Sequence, residues 1–225
     1  MNAERPPRRQ IGFVLFEGMN GLDLVGPYEV LSRLRGVESV LIADAPGPVA
    51  TDSPPLTLTA THAWDQVEGL DALVVPGGRG TETLLADRGW LSRLEDAASR
   101  SVEVLTVCTG AVVLARAVGM QGRRATTHWA HREQLANLGV QVSTVRTERD
   151  GSWWSAAGVS AGIDLALRFV GETVSPTLAH KFAVAMEYDP APPYGVGRLD
   201  TLSLEDQATM TAALSPPIDP GAGAI

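Results

Sequence analysis

Short apolar runs rich in Val, Ile and Leu recur along this chain at residues 10–16, 37–44, 71–76 and 102–107. Runs of this length without polar alternation suit strands buried on both faces of a parallel sheet. Between them the pattern changes to helical spacing. Helices are predicted over 27–35, 81–86, 90–100, 110–118, 130–138, 160–174, 176–186 and 204–214. Pro27 suits a first helical turn, Gly119 a helix C-terminus and Ser203 an N-cap. Shorter strands are predicted at 124–127, 141–146 and 153–156, the last two separated by a turn at Asp150 and Gly151. Residues 46–58 contain Pro-Gly-Pro and Ser-Pro-Pro, which predicts a hairpin or excursion away from the main sheet. Residues 1–9 and 215–225 read as loose tails of a single domain spanning 1–225.

Strands alternating with helices predict an α/β fold, with a mainly parallel central sheet and helices on both faces. Right-handed crossovers place the ends of such strands along one edge of the sheet. The loops after Phe16, Pro76 and Val107 therefore converge on one crevice. That convergence groups Asp23, Gly77, Gly78 and Cys108.

Cys108 is the single cysteine of the chain and sits where an apolar strand gives way to an apolar helix. A tight strand-to-helix turn projects its side chain at the carboxyl edge of the sheet, where ligands of open α/β folds bind. The helix N-terminus behind it stabilises an anion, and for a thiol the anion is the reactive form. A free thiol has a pKa of about 8.5, and a shift of roughly two units, about 2.7 kcal/mol, would make thiolate the majority species. The arrangement is a cysteine nucleophile elbow in which Thr106 stands where the G-x-S-x-G pattern has its first glycine. The bland alternative is a small buried hydrophobe.

Asp23 lies in the expected loop after the first strand, flanked by Leu22 and Leu24. It reads either as a helix cap before Pro27 or as a proton-transfer partner for Cys108. A carboxyl beside a thiolate gains proton affinity, so Asp23 would hold a proton that an exposed Asp loses. Gly77 and Gly78 read as turn residues or as backbone that approaches a ligand and aims N–H groups at developing charge. Thr109 caps the following helix or contacts the reacting atom, with Gly110 beside it.

The remaining features narrow the function class. A chain of 225 residues with 44% hydrophobic and 20% charged residues has the composition of one globular domain with a full core. A net charge of −8 argues against a nucleic-acid surface. One cysteine allows no internal disulfide, which fits a reducing compartment. Neither a signal h-region nor a membrane-length apolar stretch is present. The expectation is a soluble, cytoplasmic protein. His128 and His131 stand three apart with nothing nearby to complete a metal set, so His128 is expected to be hydrogen-bonded and His131 solvated. Trp153 and Trp154 read as core or dimer surface. No G-x-G-x-x-G or Walker pattern points to a nucleotide.

The strings IGFVLFEGMNGLDLVGP, VVPGGRG, VCTGAVVLARAVGMQGRRATTHWA, AGVSAGIDLAL and EYDPAPPYGVG resemble the ThiJ/PfpI superfamily of class I glutamine-amidotransferase-like folds. Within it the likeness is strongest to the bacterial isocyanide hydratases. The resemblance implies a flavodoxin-like α/β sandwich, a homodimer acting on a small molecule, and no cofactor. It implies Cys108 as nucleophile and Asp23 as acid and base, with Gly77, Gly78, Thr109 and Gly110 lining the substrate pocket. LDLVGP with CTG and ATTHW also occurs in the ligand-binding halves of AraC-type regulators. The stretch after Gly197 is short for their helix-turn-helix module. A glyoxalase or stress-response role is the other alternative. Two positions depart from the pattern. Thr109 follows the cysteine where peptidase-like members have His, and Ala156 and Ala157 precede Gly158 where the hydratases carry more glycine.

Overall fold

The computed structural model describes residues 9–214. Of the expected tails, 1–8 and 215–225 lie outside the described residues, and Arg9 belongs to the first strand. The elements in chain order are β1 (Arg9–Val14), α1 (Gly21–Leu31), β2 (Val37–Ala43), β3 (Gly47–Ala50), β4 (Thr57–Ala60), β5 (His62–Ala63), β6 (Leu70–Val75), α2 (Thr81–Leu84) and α3 (Arg88–Ser99). Then follow β7 (Ser101–Val107), α4 (Gly110–Val118), β8 (Arg124–Ala125), α5 (Arg132–Asn137), β9 (Gln141–Val142), β10 (Thr147–Asp150), β11 (Trp153–Ala156), α6 (Ala161–Thr173), α7 (Pro176–Ala185) and α8 (Leu204–Leu214).

Seven strands form the main sheet in the order β10-β11-β7-β6-β1-β2-β5. All neighbours run parallel except β10, which is antiparallel to β11. Helices α1 and α6 pack together on one face and α3 and α4 on the other, as in a flavodoxin-like sandwich. The apolar runs that predicted strands are the sheet's centre. Phe13, Val14, Leu73, Val74, Val75, Leu105 and Val107 have no exposed surface. Burying an aliphatic side chain of this size contributes roughly 1.5–3 kcal/mol. The Pro-rich excursion is the separate β3–β4 hairpin.

Because β7, β6 and β1 are adjacent, the segments that leave their C-terminal ends lie side by side. The loops after β1 and β6 are also laced together. The Asn20 amide donates to the Gly77 carbonyl at 2.8 Å, and the Gly80 amide to the Gly18 carbonyl at 2.8 Å. Gly78 adopts φ +131°, and a Cβ there would strike the backbone of Gly18 and Asn20, so only glycine fits.

Two elements differ from expectation. Helix α1 begins at Gly21 rather than Pro27, and Asp23 sits in its first turn rather than in a loop. The Asn20 side chain accepts from the amides of Leu22 (3.1 Å) and Asp23 (3.3 Å), capping donors that a helix start leaves unpaired. Pro27 lies inside the helix and only removes the bond to the Asp23 carbonyl. The strand expected at 141–146 is confined to β9, paired with β8, and the partner of β11 is Thr147–Asp150 instead. The Arg146 carbonyl still accepts from the Ala157 amide at 3.0 Å, one step beyond that ladder, while its guanidinium reaches Asp164 on α6 at 2.6 Å. Trp154 is core, with Arg149 stacked 4.2 Å from its ring centroid and Glu103 accepting from its indole at 2.7 Å.

Gly110 opens α4 against the end of β6, and a Cβ there would meet the carbonyl oxygens of Val75 and Pro76. Gly110→Ala is therefore expected to lower stability by about 1–3 kcal/mol, read as a reduced urea midpoint at an unchanged slope.

Candidate active site

Three strand ends build the site. Strand β7 delivers Cys108 to the turn, where it takes φ +56°, the left-handed region that costs a side-chain-bearing residue on the order of 1–3 kcal/mol. This is the geometry of a nucleophile elbow, and the strain is held by hydrogen bonds on both sides. The Cys108 amide donates to the carbonyls of Ala156 (3.2 Å), the last residue of β11, and Ala157 (3.0 Å) just after it. Its carbonyl accepts from the Thr127 hydroxyl at 2.7 Å. The residue is 8% exposed.

Helix α1 presents Asp23 to that turn with no exposed surface at all. Its Oδ2 accepts from the Gly77 amide at 2.9 Å. Its Oδ1 is enclosed and has no hydrogen-bond partner of good geometry within the protein. The Asp23 charge acts on the Cys108 thiol, so the proton affinities of the two groups are linked.

Burial raises Asp23 to a pKa of about 7, the Gly77 amide works against the rise, and the neighbouring Asp52 charge adds to it. Burial likewise pushes the Cys108 thiol upward, and the Asp23 charge adds to that. The amide and hydroxyl of Thr109 pull the thiol down by less. The helix N-terminus expected to produce a resting thiolate is therefore outweighed by desolvation. Both members of the pair are thus shifted toward their protonated forms.

The six expected site residues all come together here, with some of their roles changed. The Gly77 amide, expected to face developing charge, is engaged with Asp23, and the Gly78 amide donates to the Thr109 hydroxyl at 3.0 Å. A Cβ on Gly77 would strike Thr109 and crowd Asp23, so this glycine lets acid and elbow approach. Thr109 makes no side-chain cap for α4. Its hydroxyl instead joins the loop after β6 to the elbow, with Thr81 donating to it at 3.2 Å. Gly110 turns its bare face to β6.

Three contributors escaped the sequence reading. Thr127 belongs to the string ATTHWAH, whose histidines drew attention while its threonines look like ordinary polar residues. Thr81 has no local signature. Asp52 lies in the Pro-rich hairpin loop, where its amide donates to the Met19 carbonyl at 2.8 Å and brings its charge toward Asp23. His128 is hydrogen-bonded as expected, its ring accepting from the Ala130 amide at 3.3 Å, and burial and neighbouring cations lower it to about 4. His131 is not the solvated residue expected, since its Nδ1 is buried without a partner and burial lowers its pKa. Among the described residues no group of three or more His, Cys, Asp or Glu is placed to hold a metal ion. No helix among them is long and apolar enough to cross a membrane.

Comparison with known proteins agrees with this geometry. The family model described as DJ-1/PfpI matches residues 9–172. The chain belongs to the DJ-1/PfpI family. It is 40% identical over 208 residues to an isonitrile hydratase of Pseudomonas putida, covering 92% of this chain and 91% of that one. A deglycase of Pyrococcus abyssi is 29% identical over 60% of this chain and 81% of its own. Among solved structures, a ThiJ/PfpI family protein from Pseudomonas syringae superposes with a TM-score of 0.86 at 30% identity, covering 95% of this chain and 92% of that one. The expected fold and family are thus both found.

The raised carboxyl has a consequence for stability. Asp23 has a higher pKa in the folded than in the unfolded chain, where it is near 3.9. Below pH 4 both states bind the proton and the shift costs nothing. As pH rises toward 7 the unfolded chain releases its proton first, and the folded state loses stability until both are ionised. Asp23→Asn is therefore expected to be more stable than the native protein at pH 8, with the gap closing by pH 4, measured by urea unfolding across that range. Asp52→Asn removes a neighbouring negative charge and is expected to move the Asp23 titration downward by a fraction of a unit, followed by the carboxyl signal in carbon-13 NMR.

Proposed function

We propose that the protein is an isocyanide hydratase, adding water to R–N≡C to give an N-substituted formamide. Isonitrile and isocyanide name the same functional group, so the 40% identity to an isonitrile hydratase across 92% of the chain supports this substrate class. The observation that carries the reading is the burial of Cys108 and Asp23 together at the carboxyl edge of the sheet, with the charge of one acting on the proton affinity of the other.

In the reading, Asp23 as carboxylate takes the thiol proton while the sulfur bonds to the terminal carbon of the isocyanide. The same proton passes to that carbon, giving the thioimidate Enz–S–CH=N–R. Covalent attachment divides a difficult hydration into two easier steps. Asp23 then takes a proton from water as it adds to the thioimidate carbon. The tetrahedral adduct expels the thiolate, the nitrogen and the sulfur recover their protons, and R–NH–CHO leaves. The scheme calls on no cofactor. Gly77, Gly78, Thr109 and Gly110 form the wall beside the reacting carbon, with the first two acting mainly through the acid and Thr109. A linear, largely apolar substrate needs few polar anchors, in keeping with a site that offers few free ones. The reading includes a cytoplasmic location and a homodimer, the second of which light scattering of the purified protein checks.

Purified protein is incubated with one aromatic and one aliphatic isocyanide and formamide is followed. Methylglyoxal is run in parallel for the rival glyoxalase activity. Turnover of an isocyanide is expected, Cys108→Ala should abolish it, and Asp23→Asn should slow it by about 10²–10⁴-fold. Turnover that persists without the sulfur would overturn the covalent scheme, and absence of turnover with both isocyanides would overturn the function. Since the carboxylate is the active base, kcat/KM is expected to rise with pH along a limb centred near 7. A profile flat between pH 5 and 8 would remove Asp23 from that role.

A further inference from the structure

The carbonyl of Cys108 is buried at the elbow, and the left-handed turn separates it from the helix that follows. The Val112 amide, which would serve it in an uninterrupted helix, donates to the Thr109 carbonyl at 3.0 Å instead. The carbonyl accepts from Thr127, nineteen residues on in the chain. Thr127 has no exposed surface, and its neighbour Thr126, equally buried, fastens the segment in place. The Thr126 amide donates to the Ser155 hydroxyl at 2.9 Å, and its own hydroxyl donates to the Val145 carbonyl at 2.9 Å. Ser155 sits on β11 in register with Thr106 on β7, two residues before the cysteine. The next two residues of β11 and its exit, Ala156 and Ala157, accept the Cys108 amide. Both peptide groups of the cysteine are thus gripped by one assembly, β11 and the segment it carries.

From this clamp we infer that Thr127 is a positioning residue for the reaction, its hydroxyl fixing the rotation of the Cys108 peptide so that the sulfur faces Asp23. The chemistry of the residue decides what matters. Valine has nearly the same shape but cannot donate, so Thr127→Val leaves a buried carbonyl unpaired and removes the restraint on the turn. Serine keeps the donor and loses only a methyl group. A displacement of about an ångström at a reacting atom can cost around 10²-fold in rate.

The proposal deepens the hydratase reading, and its test has an arm independent of isocyanides. Cys108 alkylation by iodoacetamide is measured across pH 5–9 in the native protein, Thr127→Val and Thr127→Ser, alongside kcat and KM for an isocyanide. Thr127→Val is expected to lower kcat by about 10–100-fold with KM changed less than about threefold. Its alkylation profile should lose the inflection near pH 7 that coupling to Asp23 produces. Thr127→Ser is expected to restore both readouts to within about threefold of native. If Thr127→Val does not fold, Thr127→Ala takes its place with the same expectations. Native alkylation and native kcat in the donor-free variant would overturn the proposal. So would a serine variant that falls as far as valine, because the methyl group and not the hydroxyl would then be at work. If the native protein turns over no isocyanide, the function reading fails while the alkylation profiles still decide the role of Thr127.

Discussion

Asp23 is withdrawn completely from water, and the Gly77 amide bonded to one of its oxygens does not replace a hydration shell. A carboxylate buried on such terms is disfavoured, so the group holds its proton up to about neutrality. The thiol beside it is under the same constraint and is pushed upward as well. Two groups that each resist ionisation, placed against one another, hold exchangeable protons close together. The proposed addition of a thiol to an isocyanide carbon calls for such a pair: the sulfur must lose its proton as the new bond forms, and the carbon must gain one.

The rest of the fold makes the juxtaposition possible. Three adjacent parallel strands end together, so α1, the glycine loop and the elbow start within reach of one another. What closes the remaining distance is missing side chains. A Cβ at Gly77 would collide with Thr109, one at Gly78 with the loop that carries Asn20, and one at Gly110 with the end of β6. These glycines serve less as ligands than as clearances. Hydrogen bonds then lock what the clearances permit, through Asn20 to α1, Gly77 to the acid and Thr127 to the strained turn.

The balance at the cysteine shows how two sound local arguments are ranked by magnitude. A helix N-terminus favours a thiolate by about 0.3–1 kcal/mol in ordinary exposed settings and about 2 at most. Removing a thiolate from water at a nearly enclosed site, beside a carboxylate, outweighs that. In the proposed reaction the nucleophile is therefore generated on demand by its neighbour rather than stored as an anion.

Much of this architecture is written in the order of the residues. Unbroken apolar runs dictate strands covered on both sides, their alternation with helical stretches dictates a parallel sheet, and handedness then places Cys108, Asp23, Gly77 and Gly78 at one edge. Those rules act over a few residues or through chirality, which is why they survive without coordinates. Whatever depended on long-range packing did not. Asn20 rather than Pro27 starts α1 because a side-chain cap needs only a local turn, whereas proline merely tolerates the helix around it. Asp52 and Thr127 look like unremarkable polar residues until a hairpin and a distant strand carry them to the site. The direction in which the thiol shifts follows from how much water the closed fold excludes, a property of the assembled volume that no short stretch of chain contains.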